Sequence, residues 1–443
     1  MGTLVSAGDT ADDTADGATD VTADVAVIGG GVIGHGIAWE ASRSGRSVAL
    51  IDDAPGSGAS WAAAGMLAPV SELHYQEEGL LELMLESSRL WPDFAAALDG
   101  DPGDGLPGGG TTGTGYLTTP TLAVGADAAD RRALVDLRAV QQASGLSVEP
   151  LTVREARGRE PLLSPGISCA FDIPADHQVD PRRLLARIAA LLAGDGRSRA
   201  VPRRAAGLLW RDGRVSGVSL AGGGTVHANE TIVANGLGAA GLGGLPAGLR
   251  LPLRPVYGDI LRLRVPGHLQ PLLSSTVRGL VRGIPVYIVP RQDGTVVIGA
   301  TQREDGPFPD TDAEMGTTPG NPAAHAGSIA VSAGGVYQLL RDAQQLVPAV
   351  AELELLEVTA RARPGTPDNA PLLGRVMRPG PDGGDVPGLI IATGFFRHGV
   401  LLTPAAAAIC RLLLDGGADP RWDGFRPGRF SQAPKSCSVP AAR

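Results

Sequence analysis

Lysine is almost missing from this chain. Lys435 is the only one among 443 residues, so arginine carries nearly all the positive charge. No lysine upstream of the tail is available for Schiff-base chemistry. Cysteine is scarce too: Cys169, Cys410 and Cys437 lie far apart and form no CxxC pair. A disulfide framework and a zinc site are therefore not expected, no metal ligand set is read, and a reducing cytoplasm is the expected setting. Positive charge is in deficit: the net charge of -9 argues against nucleic acid and against an anionic membrane surface as partners. Long apolar runs are absent as well. No stretch approaches the ~18 residues of a membrane span, and the first twenty residues lack the basic patch and apolar run of a signal peptide. A small-molecule substrate remains as the expectation.

What is present is an ordinary globular composition, with 43% apolar and 19% charged residues, in a chain long enough for more than one domain. Residues 1–22 are acidic, small and low in complexity and read as a disordered tail. Residues 24–53, "DVAVIGGGVIGHGIAWEASRSGRSVALIDD", read as a strand, a glycine turn, a helix and a second strand. Gly29, Gly31 and Gly34 fit G-x-G-x-x-G. The first permits a tight turn, the second lets a pyrophosphate approach the backbone, and the third packs helix against strand. Asp52 ends the second strand where a ribose-binding carboxylate belongs, and it disfavours the 2′-phosphate of NADP. Asp53, one step further, competes with it and reads as a solvated turn residue. His35, inside the turn's helix, is expected on the helix surface.

Further along, residues 77–98 read as an amphipathic helix and residues 99–115 as a flexible loop. Asp180 caps a helix that begins with Pro181. Asp212-Gly213 and Asp293-Gly294 mark hairpins, the second inside a strand-rich block over 251–301. Residues 317–328 read as another loop insertion, residues 334–347 as a helix, and "GLIIATG" as a buried strand before a final helix over 400–414. Cys169 and Cys410 read as buried small hydrophobes. The fold class is therefore α/β: a discontinuous, Rossmann-like nucleotide-binding domain with an inserted, mostly antiparallel sheet domain. The expected division gives 23–75, 151–250 and 361–427 to the nucleotide-binding domain, 76–150 and 251–360 to the substrate domain, and 428–443 to a loose tail.

The glycine turn alone does not choose between NAD and FAD. The late strand, glycine and helix of "GLIIATGFFRHGVLLTPAAAAIC" supply a second helix start for the same ligand, and a long cofactor with a redox ring suits two such segments better. Together with "GASWAAAGMLAP", "VYIVPRQDGTVVIGAT" and "ARARPGTPDNAPLLG", these motifs resemble the D-amino-acid oxidase superfamily of FAD enzymes, and within it the glycine oxidases associated with thiamine biosynthesis. The resemblance is collinear from about residue 23 to 415.

The resemblance implies noncovalent FAD, since no cysteine precedes "RPGTPD". It implies oxidative deamination of glycine through an imine to glyoxylate, ammonia and hydrogen peroxide, with O2 as acceptor and the imine feeding thiazole formation. A homotetramer follows by the same analogy. It also implies flavin contacts from the glycine turn with Val32 and Ile33, from Asp52 and Asp53, and from Ala59, Ser60, Ala64, Gly65 and Met66. Val201 and the run Gly394, Phe395, Phe396, Arg397, His398, Gly399, Val400 and Leu401 complete that set. Arg363 matches the carboxylate-binding arginine, Arg397 a second arginine near substrate, and Tyr287 the pocket tyrosine. Arg361 shares a strand face with Arg363, so periodicity does not separate the two. His398 stands where asparagine is usual and is expected to anchor backbone or lie exposed rather than act as a base. Sarcosine, proline or a D-amino acid as substrate, an NAD-dependent dehydrogenase, and a flavoprotein with a protein electron acceptor are the alternatives.

Overall fold

The first strand, Asp20–Ile28, is flanked on both sides by parallel neighbours: Thr225–Val233 on one side and Val48–Ile51 on the other. Every side chain from Val25 to Ile28 is at most 2% exposed, as a central parallel strand requires. In the computed structural model, which describes residues 20–73, 77–100, 113–304, 330–378 and 383–431, this strand lies within a mixed sheet. The order is Leu372–Met377, Asp385–Thr393, Thr225–Val233, Asp20–Ile28, Val48–Ile51, Ser198–Val201. The first of these is antiparallel to its neighbour, and the other five run parallel. The hairpin Ala205–Arg211 and Arg214–Leu220 joins at the side, turning at Asp212 and Gly213, both with positive φ.

One face of this sheet is covered by helices Val32–Arg43, Pro181–Gly194, Thr403–Leu414 and Glu78–Asp99. Gly36 allows the first of these to approach Thr403, where a Cβ would find no room. Asp180 caps Pro181–Gly194 by accepting the amides of Arg182 and Arg183, as expected. Glu78–Asp99 buries Leu80, Leu83, Met84, Trp91 and Leu98. At roughly 1.5–3 kcal/mol per large apolar side chain, that burial outweighs the helical hydrogen bond that Pro92 forgoes. Two side chains of this helix, Ser87 Oγ and Trp91 Nε1, donate to the Leu401 carbonyl at 2.7 and 2.8 Å.

The second sheet runs Glu354–Gly365, Arg254–Arg264, Thr295–Gly299, Ile284–Pro290, Thr276–Val281, Thr121–Gly125, Cys169–Ile173, Glu149–Leu151. It is antiparallel except where Thr276–Val281 meets Thr121–Gly125. Helix Ala333–Leu346 packs Leu339, Ala343 and Leu346 against it. The α/β architecture with two sheets is the one the sequence implies.

Four particulars differ from expectation. Cys169–Ile173, inside the 151–250 segment given to the nucleotide-binding domain, pairs in the second sheet instead, as does Leu151 at that segment's start. Glu78–Asp99, expected with the substrate domain, packs on the helices that cover the first sheet, with Phe94 edge to face on Trp39 at 5.1 Å. In both cases the deciding partner lies far away in sequence, out of reach of local pattern. Asp20, Val21 and Thr22 belong to the first strand and pair with Thr225, Val226 and His227. Residues 428–431 are anchored, since Arg429 pairs with Asp368 at 2.9 Å. The remainder of both tails, including Cys437, most of the 99–115 loop and the 317–328 loop lie outside the described residues. Cys169 and Cys410 are buried, as expected. Among the described residues no helix is long and apolar enough to cross a membrane, and no group of acidic, His and Cys side chains is arranged to hold a metal.

Candidate active site

The glycine turn is dictated by close backbone approach. Gly29 has φ +108°, and a Cβ there would lie 2.6 Å from the Ala234 carbonyl oxygen. A Cβ on Gly34 would overlap the Gly29 carbonyl, so Gly34 packs the helix onto the turn and does not line the cavity below. No side chain of the cap residue Gly31 covers the start of helix Val32–Arg43, and the Val32 amide donates to Ser60 Oγ at 3.0 Å. Asp52 accepts the amides of Gly30 at 2.5 Å and Ala54 at 2.7 Å, which holds its carboxylate at the end of the second strand. Asp53 is exposed and pairs with Arg204 at 2.9 Å on the rim. His35 is buried, not on the surface, and its Nδ1 lies 3.2 Å from the Gly31 carbonyl.

A cavity of about 830 Å³ starts at this turn and runs to the second sheet. Gly29, Gly31, Val32, Ile33, Asp52, Asp53, Ala59, Ser60, Ala64, Gly65 and Met66 line it, as does every residue from Gly394 to Leu401. Val201 does not line it: its side chain is in the core behind the sheet and its carbonyl accepts the Asp52 amide. Two devices hold the wall from Ala59 to Met66. Gly65 has φ +73° and lies against the Val179 carbonyl, and buried Arg291 donates to the carbonyls of Ala64 and Val179. The opposite wall turns sharply at Gly394, φ +75°, and Phe396, φ +48°. His398 is buried there at 2% exposure, so the exposed alternative is excluded.

At the far end, Tyr287, Arg363 and Arg361 face the same space. Two glycines on neighbouring strands make room: a Cβ on Gly258 would fall on the Arg363 guanidinium, and one on Gly299 would fall on the Tyr287 hydroxyl. Arg361 is committed, with Nε donating to the Ser57 carbonyl at 3.0 Å. Among the described residues no hydrogen bond or ion pair engages the Arg363 guanidinium, although the Arg363 backbone pairs with Val256 in the sheet. Arg397 also lines the cavity, but its Nε lies 2.9 Å from Glu72 and its Nη2 3.0 Å from Glu77. Glu72 pairs in addition with Arg278, the strand partner of Tyr287. Burial alone would raise the Glu72 carboxyl. The charges of Arg278, Arg397 and His398 outweigh burial and hold it well below the usual carboxylate range. Just before Glu72, buried Asp176 accepts the amides of Val70 and Ser71 at 2.9 Å each, and burial pushes its carboxyl up to about 6.

Residues 24–412 match the family described as FAD dependent oxidoreductase, DAO. The chain belongs to that family. A glycine oxidase of Geobacillus kaustophilus is 32% identical over 394 residues, covering 88% of this chain and 93% of that protein. The crystal structure of glycine oxidase from the same organism superposes with a TM-score of 0.75 at 29% identity, covering 92% of this chain and 99% of that one. The bifunctional protein ThiO/ThiG of Trichormus variabilis is 29% identical over 416 residues, 93% of this chain. The chain spans 56% of that relative's length.

FAD is the cofactor of this FAD dependent oxidoreductase, and the residues present fit it. The turn at Gly29 and the helix start at Val32, where the cap residue Gly31 has no side chain and the Val32 amide meets the Ser60 hydroxyl, present bare Cα atoms where a pyrophosphate would lie. Asp52 lines the cavity at the end of the second strand, where it would meet the ribose, and the small residues from Ala62 to Gly65 would leave depth for a flat ring. No cysteine lines the cavity among the described residues.

Sequence reasoning missed Glu72, Glu77, Arg278, Gly258 and Gly299. The two glycines sit in plain strand patterns, and only their cross-strand neighbours reveal what they clear. Glu72 and Arg278 are 206 residues apart, and no local signal links them.

Proposed function

We propose that this chain is an FAD-dependent amino acid oxidase that deaminates glycine, or an amino acid nearly as small, to glyoxylate, ammonia and hydrogen peroxide with O2 as acceptor. One observation carries the reading: the Arg363 guanidinium projects into the cavity beside Tyr287, in space that Gly258 leaves open, and no described residue engages it. Its planar fork suits a substrate carboxylate, which would accept two charge-assisted hydrogen bonds. The Tyr287 hydroxyl would donate a third. Burial pushes that phenol up, so it stays a donor through the physiological range.

Bound FAD, which the glycine turn and the run Gly394–Leu401 would hold, would supply two-electron oxidation of the substrate amine with O2 as the final acceptor. The protein holds the small zwitterion by its carboxylate, so that the Cα–H bond is presented in a fixed direction. The walls at Ala62, Ala64, Phe395 and Phe396 are apolar and exclude water from the reacting end. No side-chain nucleophile enters this scheme. His398, with its ring buried and its amide donating to the Phe395 carbonyl, shapes the wall instead of taking a proton from Cα. The Phe395-Phe396 pair makes this wall more apolar than a histidine or tyrosine there would, and tilts preference toward small or N-methylated substrates.

The use of the imine in thiazole formation and a homotetrameric assembly belong to the same reading, supported by the sequence resemblance. The deciding experiment is peroxide release by purified FAD-loaded protein from glycine, sarcosine, proline and D-alanine. Glycine or sarcosine is expected to give the highest kcat/KM. Absence of peroxide from every member of the panel overturns the reading.

A further inference from the structure

Four arginines border the reacting end, yet their charges are unequally spent, and Arg361 is tied to the Ser57 carbonyl. Arg278 and Arg397 share Glu72, and Arg397 meets Glu77 as well. The Arg397 guanidinium also lies 5.0 Å from the Phe396 ring centroid. Two guanidiniums and two carboxylates thus cancel on one wall. Arg363, across Tyr287, faces the cavity without an acidic partner among the described residues. An anion entering this space meets one available cation.

Given the amino acid oxidase reading above, we infer that Glu72 determines specificity by occupying Arg397, so that the cavity takes substrates with one carboxylate and turns away a second anionic group. Glu72 is a positioning residue: it acts through Arg397 and needs no contact with substrate. Its own side chain is held by Arg278 and Arg397, and the backbone just before it is fixed by Asp176, which accepts the amides of Val70 and Ser71. With Glu72 neutralised, Arg397 keeps its hydrogen bonds to Glu77 but loses the negative charge that lies 2.9 Å from its Nε. A dicarboxylate amino acid would then find a second guanidinium at the reacting end.

The test is equilibrium binding to the FAD-loaded protein, read from perturbation of the flavin visible absorption. Glycolate is the probe with one carboxylate and malonate the probe with two. Wild type is expected to bind glycolate more tightly. In Glu72→Gln the malonate-to-glycolate Kd ratio should fall by about tenfold, the worth of one uncovered charge at short range. Adding Arg397→Leu to that variant should restore the wild-type ratio. Should Glu72→Gln fail to fold, Glu77→Gln, which keeps the Glu72 pair, should lower the ratio by roughly threefold. A merely structural lesion weakens both probes together and leaves the ratio where it was. An unchanged ratio in the folded single variants, or a shift that survives Arg397→Leu, overturns the inference. If wild type gives no perturbation with glycolate, the site reading itself falls and takes this inference with it. The two failures are therefore distinguishable.

Discussion

Arg361 and Arg363 differ only in what their side chains meet. They stand two positions apart on the strand Glu354–Gly365 and share the cavity, but Arg361 is bound to the Ser57 carbonyl and the Arg363 guanidinium to no described residue. Arg363→Ala should therefore raise KM for glycine on the order of a hundredfold, the usual loss for one side of a charge-assisted pair, while FAD stays bound. Arg361→Ala should instead loosen the segment at Ser57 and lower FAD retention. Steady-state kinetics and flavin content per chain separate the two effects. Tyr287→Phe removes one neutral donor and should cost about tenfold in kcat/KM. At Cys410, burial pushes the thiol up to about 12, so iodoacetamide should leave it unlabelled in the folded protein and label it on unfolding.

The elements were legible wherever local chemistry decides them. Asp180 with Pro181 gives a helix start, Asp212-Gly213 gives a hairpin, and the spacing of Gly29, Gly31 and Gly34 gives the phosphate turn. Sheet membership was not legible. Cys169–Ile173 and the helix Glu78–Asp99 are placed by partners distant in sequence, so local pattern did not reveal which sheet each joins or covers. For the site, motif resemblance reached Arg363, Tyr287 and the run at Gly394–Leu401. It did not reach Glu72 and Arg278, which only the folded chain brings together.

One joint between elements carries a pH signature. Glu357 on the strand Glu354–Gly365 takes two hydrogen bonds from Arg182 at 2.9 and 2.7 Å, and the Arg182 guanidinium lies 3.6 Å from the Trp61 ring centroid. Burial works against the carboxylate, but hydrogen bonds from Arg182 and Thr359 and the charges of Arg182 and Arg262 prevail. The carboxyl is held down at about 2 against an ordinary 4.5. A depressed acid contributes stability above its unfolded pKa and loses it as pH falls through the folded one. Glu357→Gln should then cost on the order of 1 kcal/mol at neutral pH, discounted for partial exposure. The gap to wild type should narrow as pH drops below 4.5. Urea unfolding at several pH values checks this, and a gap that widens toward acid contradicts it.

At the scale of the whole molecule, the cavity is lined from both sheets around a row of small residues. The first sheet brings the turn at Gly29 and the segment Gly394–Leu401, and the second brings Tyr287 and Arg363. Gly65 lies at the seam, with its Cα against the Val179 carbonyl and the side chain of Pro181. Gly65→Ala should displace that wall and yield folded protein with little bound FAD, seen as lost visible absorption at unchanged far-ultraviolet dichroism. The most direct measurement joins both sheets at once: titrating FAD-loaded wild type and Arg363→Ala with glycolate while following the flavin spectrum. The expected result is a saturable perturbation in wild type and none over the same range in the equally yellow variant. An Arg363→Ala protein that titrates like wild type would contradict the placement of the substrate carboxylate on this guanidinium.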